Sequence, residues 1–210
     1  MKKIILAVVL LVLIFIGLHE YRSPDTAPAV VNGSLIAGEN NAPSEMISSK
    51  KPAEGAPSAT SGSAFSAVEV ELILQRHNQA RAAVGARPLI WSQDLARYAQ
   101  EWADHLAAAG CRFEHRPESG PWKEKYGENL FMGTAGYYGA GEAVDSWISE
   151  KRFYQGQTLN EANYHEFGHY TQLVWKSTKK VGCGQALCNG EVIIVCNYAP
   201  AGNVIGEKAW

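Results

Sequence analysis

Residues 164–178 read YHEFGHYTQLVWKST, and within them His165-Glu166-Phe167-Gly168-His169 spell H-E-x-x-H. On a continuous helix this spacing sets two imidazoles one turn apart on one face. They then hold Zn2+ while the glutamate serves as the general base of a metalloprotease. The surrounding residues argue against that chemistry. Residues 156–163 carry no apolar stripe, and Gly168 inside the motif lowers helix propensity. Beyond it, His169, Thr171, Leu173 and Trp175 alternate with Tyr170, Gln172 and Val174, a period of two that predicts a strand. No histidine or glutamate falls in 170–190, so a third ligand would have to come from as far away as His115. His169 is therefore kept as a candidate site residue and His165 as an auxiliary one. Glu166 is read as a loop residue beside them.

The elements that must position such groups are legible on either side. Val70, Ile73, Leu74, His77, Ala80, Arg81 and Val84 recur at helical spacing, and Gly85 can end that helix. On this face His77 reads as a satisfied core histidine, while Asn78 and Arg81 are placed to tie the helix to neighbouring loops. A second helix begins near Ser92, a good N-cap. Its stripe is Leu95, Ala99, Trp102, Leu106 and Ala109, and Gly110 stands where a C-cap glycine belongs. A third helix is predicted over 142–153, with Ala143, Trp147, Glu150 and Tyr154 on one face. Glu150 thus points with the tryptophan, and an acid on an aromatic face needs a partner. Near the C-terminus, Val181–Cys188 and Glu191–Tyr198 flank Asn189-Gly190, a strong hairpin signal. With Asn189 and Gly190 as the two turn residues, Cys183 faces Cys196 at disulfide distance, and Cys111 is left to reach Cys188. The predicted bridges are Cys183–Cys196 and Cys111–Cys188.

Disulfides need an oxidising compartment, and the N-terminus agrees. Met1-Lys2-Lys3 is a basic n-region, and residues 4–18 are apolar. Residues 1–22 read as a signal peptide, with Ala27-Pro28-Ala29 as an A-x-A cleavage site, or as an uncleaved membrane anchor. Both export the rest of the chain, which is secreted, extracellular or periplasmic, with membrane anchoring as the alternative. Residues 23–66 form an Ala/Ser/Pro/Gly-rich flexible linker, and 67–210 a single domain. The 210 residues carry a net charge of -2, which offers no basic footprint for nucleic acid.

Four stretches carry a family resemblance. GHYTQLVWKST (168–178), IIVCNYAPAGNV (193–204), HNQAR (77–81) and GENLF (127–131) resemble, in order, the motifs of the CAP superfamily: cysteine-rich secretory proteins, antigen 5 and plant pathogenesis-related 1 proteins. VGARPLIWSQDLARYAQEWA (84–103) is similar to the plant pathogenesis-related 1 branch. The resemblance implies an α+β fold, a three-layer α-β-α sandwich around a central antiparallel sheet. It also implies a cleft built from His115 in FEHRPES, Glu128 in GEN, Glu150 in SWISEK and His169 in GHYT. The chain departs from the plant pattern in lacking two cysteines before GHYT, where it reads NEANYHEF, and in a longer segment between His115 and Glu128.

Two imidazoles and two carboxylates can hold a divalent cation such as Zn2+, exchange protons without one, or form a buried network that only fastens loops. No Ser or Cys nucleophile stands beside them. The leading reading is an extracellular binding or interaction module, defence-like or host-facing, with a metal-binding cleft. The competing class is a metal-dependent hydrolase or protease using the same cleft, with Glu128 and Glu150 as its only catalytic candidates. The family also implies sterol or other lipid ligands, for which FMGTAGYYGAG (131–141) offers an aromatic surface, and an extracellular protein partner. Any membrane contact would run through the N-terminal segment. In the plant branch the segment after the CNY motif can be released as a signalling peptide, here Pro200–Trp210.

Overall fold

The computed structural model describes residues 62–210. The signal or anchor segment and nearly all of the linker lie outside the described residues. The packed domain starts slightly before the expected boundary. Phe65 is fully buried, and Ser66 caps the first helix, α1 (Ala67–Ala82). Ser66 and Glu69 form a capping box: Ser66 Oγ accepts from the Glu69 N–H at 3.4 Å and the Ser66 N–H donates to Glu69 Oε2 at 2.7 Å. From there Ile73, His77 and Arg81 make a buried column, one residue per turn.

A two-residue strand, β1 (Ile90–Trp91), leads into α2 (Gln93–Ala108), which is capped by Ser92 as expected. Strand β2 (Gly127–Thr134) and helix α3 (Ala140–Ser149) follow. A 3-10 turn at Glu150–Phe153 continues α3, so the predicted third helix is a shorter α-helix with a tightened end. Part of the aromatic stretch 131–141, Phe131–Thr134, belongs to β2. A second 3-10 turn, Tyr164–Glu166, precedes α4 (Gly168–Val174). Strands β3 (Lys180–Cys188) and β4 (Glu191–Ala199) form the hairpin.

The strand predicted over 169–175 is the helix α4. Tyr170, Thr171, Gln172, Leu173 and Val174 are all buried, so the segment is surrounded by protein on every side. A helix buried all round carries no amphipathic period, and a short apolar run then reads equally well as a strand.

The sheet runs β1-β3-β4-β2. Its main pairs are antiparallel and the short β1 pairs parallel with β3. Strand β4 is central and covered on both faces. Val192, Ile194, Cys196 and Tyr198 face a cluster containing Trp147, Phe167, Tyr170 and Trp175 from the α3 and α4 side. Ile193 and Val195 face Trp102 and Leu106 of α2. Helices α1, α3 and α4 thus form one outer layer and α2 the other, the α-β-α sandwich. Helix α2 lies against β3 without intervening side chains. A Cβ at Gly182 would stand 2.2 Å from the Ala96 nitrogen, and one at Gly184 2.4 Å from the Gln100 Cα. Gln100 also completes the open edge of β3, donating to the Gln185 carbonyl at 2.7 Å and accepting from its N–H at 3.1 Å. Cys183 lies opposite Cys196 in the hairpin and is bonded to it, with Cα atoms 4.1 Å apart. Cys111, just after α2, is bonded to Cys188 across 5.8 Å. The second bridge ties the loop after α2 to the end of β3.

Candidate functional site

Each of the four acid and imidazole groups comes from a different segment. His115 lies in the irregular stretch between α2 and β2, and Glu128 is the second residue of β2. Glu150 caps the C-terminal end of α3, and His169 opens the first turn of α4. They meet as two pairs. His115 Nδ1 is 2.9 Å from Glu128 Oε1, and His169 Nδ1 is 2.6 Å from Glu150 Oε1. An ionised carboxylate only accepts, so each neutral ring donates from Nδ1. The carboxylates are themselves fixed by peptide groups. The Arg116 N–H donates to Glu128 Oε1 at 3.1 Å, and the Tyr170 N–H donates to Glu150 Oε2 at 3.1 Å. Asn197 Nδ2 donates to Glu128 Oε2 at 3.3 Å.

The two histidines line one cleft of about 220 Å³ with Glu128, Asn129, Tyr164, His165, Gly168 and Asn203. Glu150 is set behind His169 and does not line it. Glu150 therefore orients its ring from behind and Glu128 from within the cleft wall, and neither Nε2 has a hydrogen-bond partner among the described residues. Such pinning fixes tautomer and ring direction, as carboxylates do behind metal-binding imidazoles. His169 has a further constraint: its ring lies nearly parallel to Trp147, 19° apart with centroids at 6.3 Å, and Trp147 is held by its Nε1–H on the Leu130 carbonyl.

The H-E-x-x-H match fails on geometry. His165 and Glu166 lie in the 3-10 turn, Phe167 breaks the chain with φ of -148°, and His169 starts a new helix. The two histidines are therefore not successive turns of one helix. His165 still reaches the cleft wall, with Tyr164 packed on it at 4.1 Å. Among the described residues, no three His, Cys, Asp or Glu side chains are gathered so as to hold a metal ion. The cleft thus offers two imidazoles and one carboxylate along its wall, and no closed set of protein ligands among the described residues.

Three contributors escaped the sequence reading. Asn129 Nδ2 donates to the His169 carbonyl at 3.0 Å and to Tyr198 Oη at 3.2 Å. Asn203 donates to the Gly168 carbonyl at 2.7 Å and accepts from Thr171 Oγ1 at 2.7 Å, pinning the start of α4. Both sit inside the motif stretches, so the signal was present without a role attached. Arg116 is next to His115, and its side chain is only 3% exposed.

Comparison with known proteins follows the same lines. A profile of the cysteine-rich secretory protein family, CAP, matches residues 74–198. Pathogenesis-related protein 1C of Nicotiana tabacum is 42% identical over 138 residues, covering 65% of this chain and 78% of that protein. Pathogenesis-related protein PRMS of Zea mays is 43% identical over 140 residues, covering 65% and 80%. Among solved structures, that of NaASP2 with Zn2+ superposes with a TM-score of 0.60 at 24% identity, over 70% of this chain and 86% of that one. BmVAL-1 superposes with a TM-score of 0.59 at 25% identity, over 71% and 84%.

Proposed function

We propose, from the premise that this chain belongs to the cysteine-rich secretory protein (CAP) family, that it acts outside the cell as a binding module whose cleft takes an exchangeable divalent cation such as Zn2+. One observation carries the reading: His115 and His169 line the same cleft, each with Nδ1 engaged by a glutamate and Nε2 unengaged. That donor set fits two-coordinate imidazole binding completed by water. A structural zinc site, closed by four protein ligands, would look different. When bound, a cation would offer open positions to an oxygen- or nitrogen-bearing ligand of a partner. The related fold of NaASP2, solved with Zn2+, supports the choice of probe. Export is supported by the two disulfides and by the pathogenesis-related relatives.

Zinc titration by calorimetry tests it. His115→Ala and His169→Ala should each weaken binding at least about tenfold, and the double variant should abolish it. Zinc affinity undiminished in the double variant would end the proposal. The hydrolase alternative predicts proteolysis that depends on Glu128 or Glu150, or on Glu166 if the protease motif operates. The broken helix between His165 and His169 gives the last of these no geometric support.

A lipid role would use another surface. Tyr137 is 85% exposed beside Tyr138, which packs on Phe131, an aromatic projection between β2 and α3. A sterol pull-down that survives Tyr137→Ser and Tyr138→Ser together would remove that surface from consideration.

A further inference from the structure

The two histidine–glutamate pairs are not held alike. His169 has Trp147 against its ring and is 36% exposed, whereas His115 is 58% exposed, and no aromatic contact to its ring is found among the described residues. Yet its partner Glu128 is only 4% exposed. A carboxylate so buried needs compensating charge and a fixed orientation. Arg116 supplies both. Its guanidinium carbon lies 3.7 Å over the Tyr98 ring, with Trp102 at 5.1 Å and Trp122 at 5.4 Å. One terminal nitrogen donates to the Tyr98 carbonyl at 2.6 Å. The Nε atom makes no hydrogen bond and stands 3.9 Å from Glu128 Oε2.

Arg116 therefore touches Glu128 twice. Its peptide N–H donates to Oε1, the oxygen that also meets His115 Nδ1, and its guanidinium faces Oε2. Two contacts on opposite oxygens stop the carboxylate from rotating. We propose that Arg116 is the positioning residue of the His115–Glu128 pair: through Glu128 it fixes the Nδ1–H tautomer of His115 and leaves Nε2 directed away from that pair. This rests on the reading of the cleft as a two-imidazole site, but it is tested without metal. Two of the three rings that seat Arg116, Tyr98 and Trp102, belong to α2, so the position of one cleft histidine is set in part from the opposite layer of the sandwich.

Nitrogen NMR of the imidazoles separates the roles. In metal-free, 15N-labelled protein at pH about 8.5, above the ordinary imidazole range, His115 and His169 should both show protonated Nδ1 and bare Nε2. In Arg116→Met the Nδ1–H share of His115 should fall to less than about half, with His169 unchanged as internal control. Arg116→Lys keeps a cation without the planar fork and should retain more of the wild-type tautomer than the Met variant. An unchanged His115 in Arg116→Met, equal loss in both variants, or simultaneous change at His169 overturns the proposal. Should the Met variant fail to fold, Arg116→Gln takes its place as the variant without the cation, and a wild-type His115 spectrum there overturns the proposal.

Discussion

Two histidine networks share Asn129 and differ in how fully they are closed. In the core, His77 donates from Nδ1 to the Ile73 carbonyl at 2.8 Å, and its Nε2 meets Tyr198 Oη at 2.9 Å, which in turn accepts from Asn129. Below it, Arg81 donates to the carbonyls of Arg87, Leu173, Trp175 and Thr178 at 2.6–3.0 Å, with no carboxylate in contact among the described residues. Leu173 belongs to the last turn of α4, where carbonyls lack helical partners and the dipole is negative. Every strong group in this network is engaged, and both residues are fully buried. In the cleft, each ring has one nitrogen engaged and one open. The difference is one of completeness: burial with full pairing makes a fastener, whereas half-pairing at a cleft wall leaves one nitrogen of each ring without a partner among the described residues.

Burial has a second signature in the core. It pushes the His77 imidazole down from 6.5 to about 4, chiefly by desolvation and against the bond to Ile73, with the Arg81 charge adding to the fall. It also lowers Arg81 to about 10 and raises the Tyr198 phenol, both through desolvation. These shifts keep His77 and Tyr198 neutral at physiological pH, and Arg81 remains a cation.

The sharpest way to break the comparison is Arg81→Met. Four carbonyls would lose the guanidinium, with only that of Trp175 keeping a second donor, the Thr178 N–H, among the described residues, and urea unfolding should show a loss of about 3–5 kcal/mol. A loss below about 1 kcal/mol would mean the core network is not a fastener. Next comes acid. The folded state keeps His77 neutral while the unfolded chain takes up a proton, so stability is fully present above pH 6.5. It declines as pH falls toward about 4, by roughly 3 kcal/mol in all. Chemical denaturation at pH 7, 5.5 and 4.5 should show this slope, and His77→Gln should flatten it; an identical slope in the variant would assign the effect elsewhere. In the cleft, Glu150→Gln should weaken zinc binding about 10–100-fold by releasing the His169 ring, a change of calorimetric affinity with little change in unfolding. His115→Ala should then alter stability by less than about 1 kcal/mol in the absence of metal, because its ring is mostly solvated. The smallest effect is expected at the exposed Asp94–Arg97 pair, where Asp94→Asn should move stability by no more than about 0.5 kcal/mol.

Much of this contrast could be read from the chain, though unevenly. Helix α1 by its spacing, α2 and the Asn-Gly hairpin announce themselves because their signals are local: for α2 a serine before a stripe, for the hairpin two turn residues between β runs. The Cys183–Cys196 register follows from counting back from the turn. Helix α4 was misread because tertiary contact on all sides erased its period, and β1 is too short to carry one. The motifs named His115, Glu128, Glu150 and His169, and the structure places them as two pairs, with Glu150 outside the cleft lining. The sequence could not say that Glu128 and Glu150 each hold a ring by Nδ1, because the choice between Nδ1 and Nε2 depends on ångström-scale placement by Arg116, Tyr170 and Trp147. His77 and His169 were separable, because His77 falls on the apolar stripe of α1 and His169 inside the GHYT motif.

The bare contact between α2 and β3 bears on how this domain can vary. Gly182 and Gly184 meet helix backbone, which cannot rotate out of the way as a side chain can. An added methyl at either position would have to lift the helix, and with it Tyr98 and Trp102, which flank Arg116. Loops at the cleft mouth can exchange residues and keep the scaffold, but these two positions behave like the datum face of a machined part. Every dimension on that side is measured from them, and an error there is copied into the cleft with no slack to absorb it.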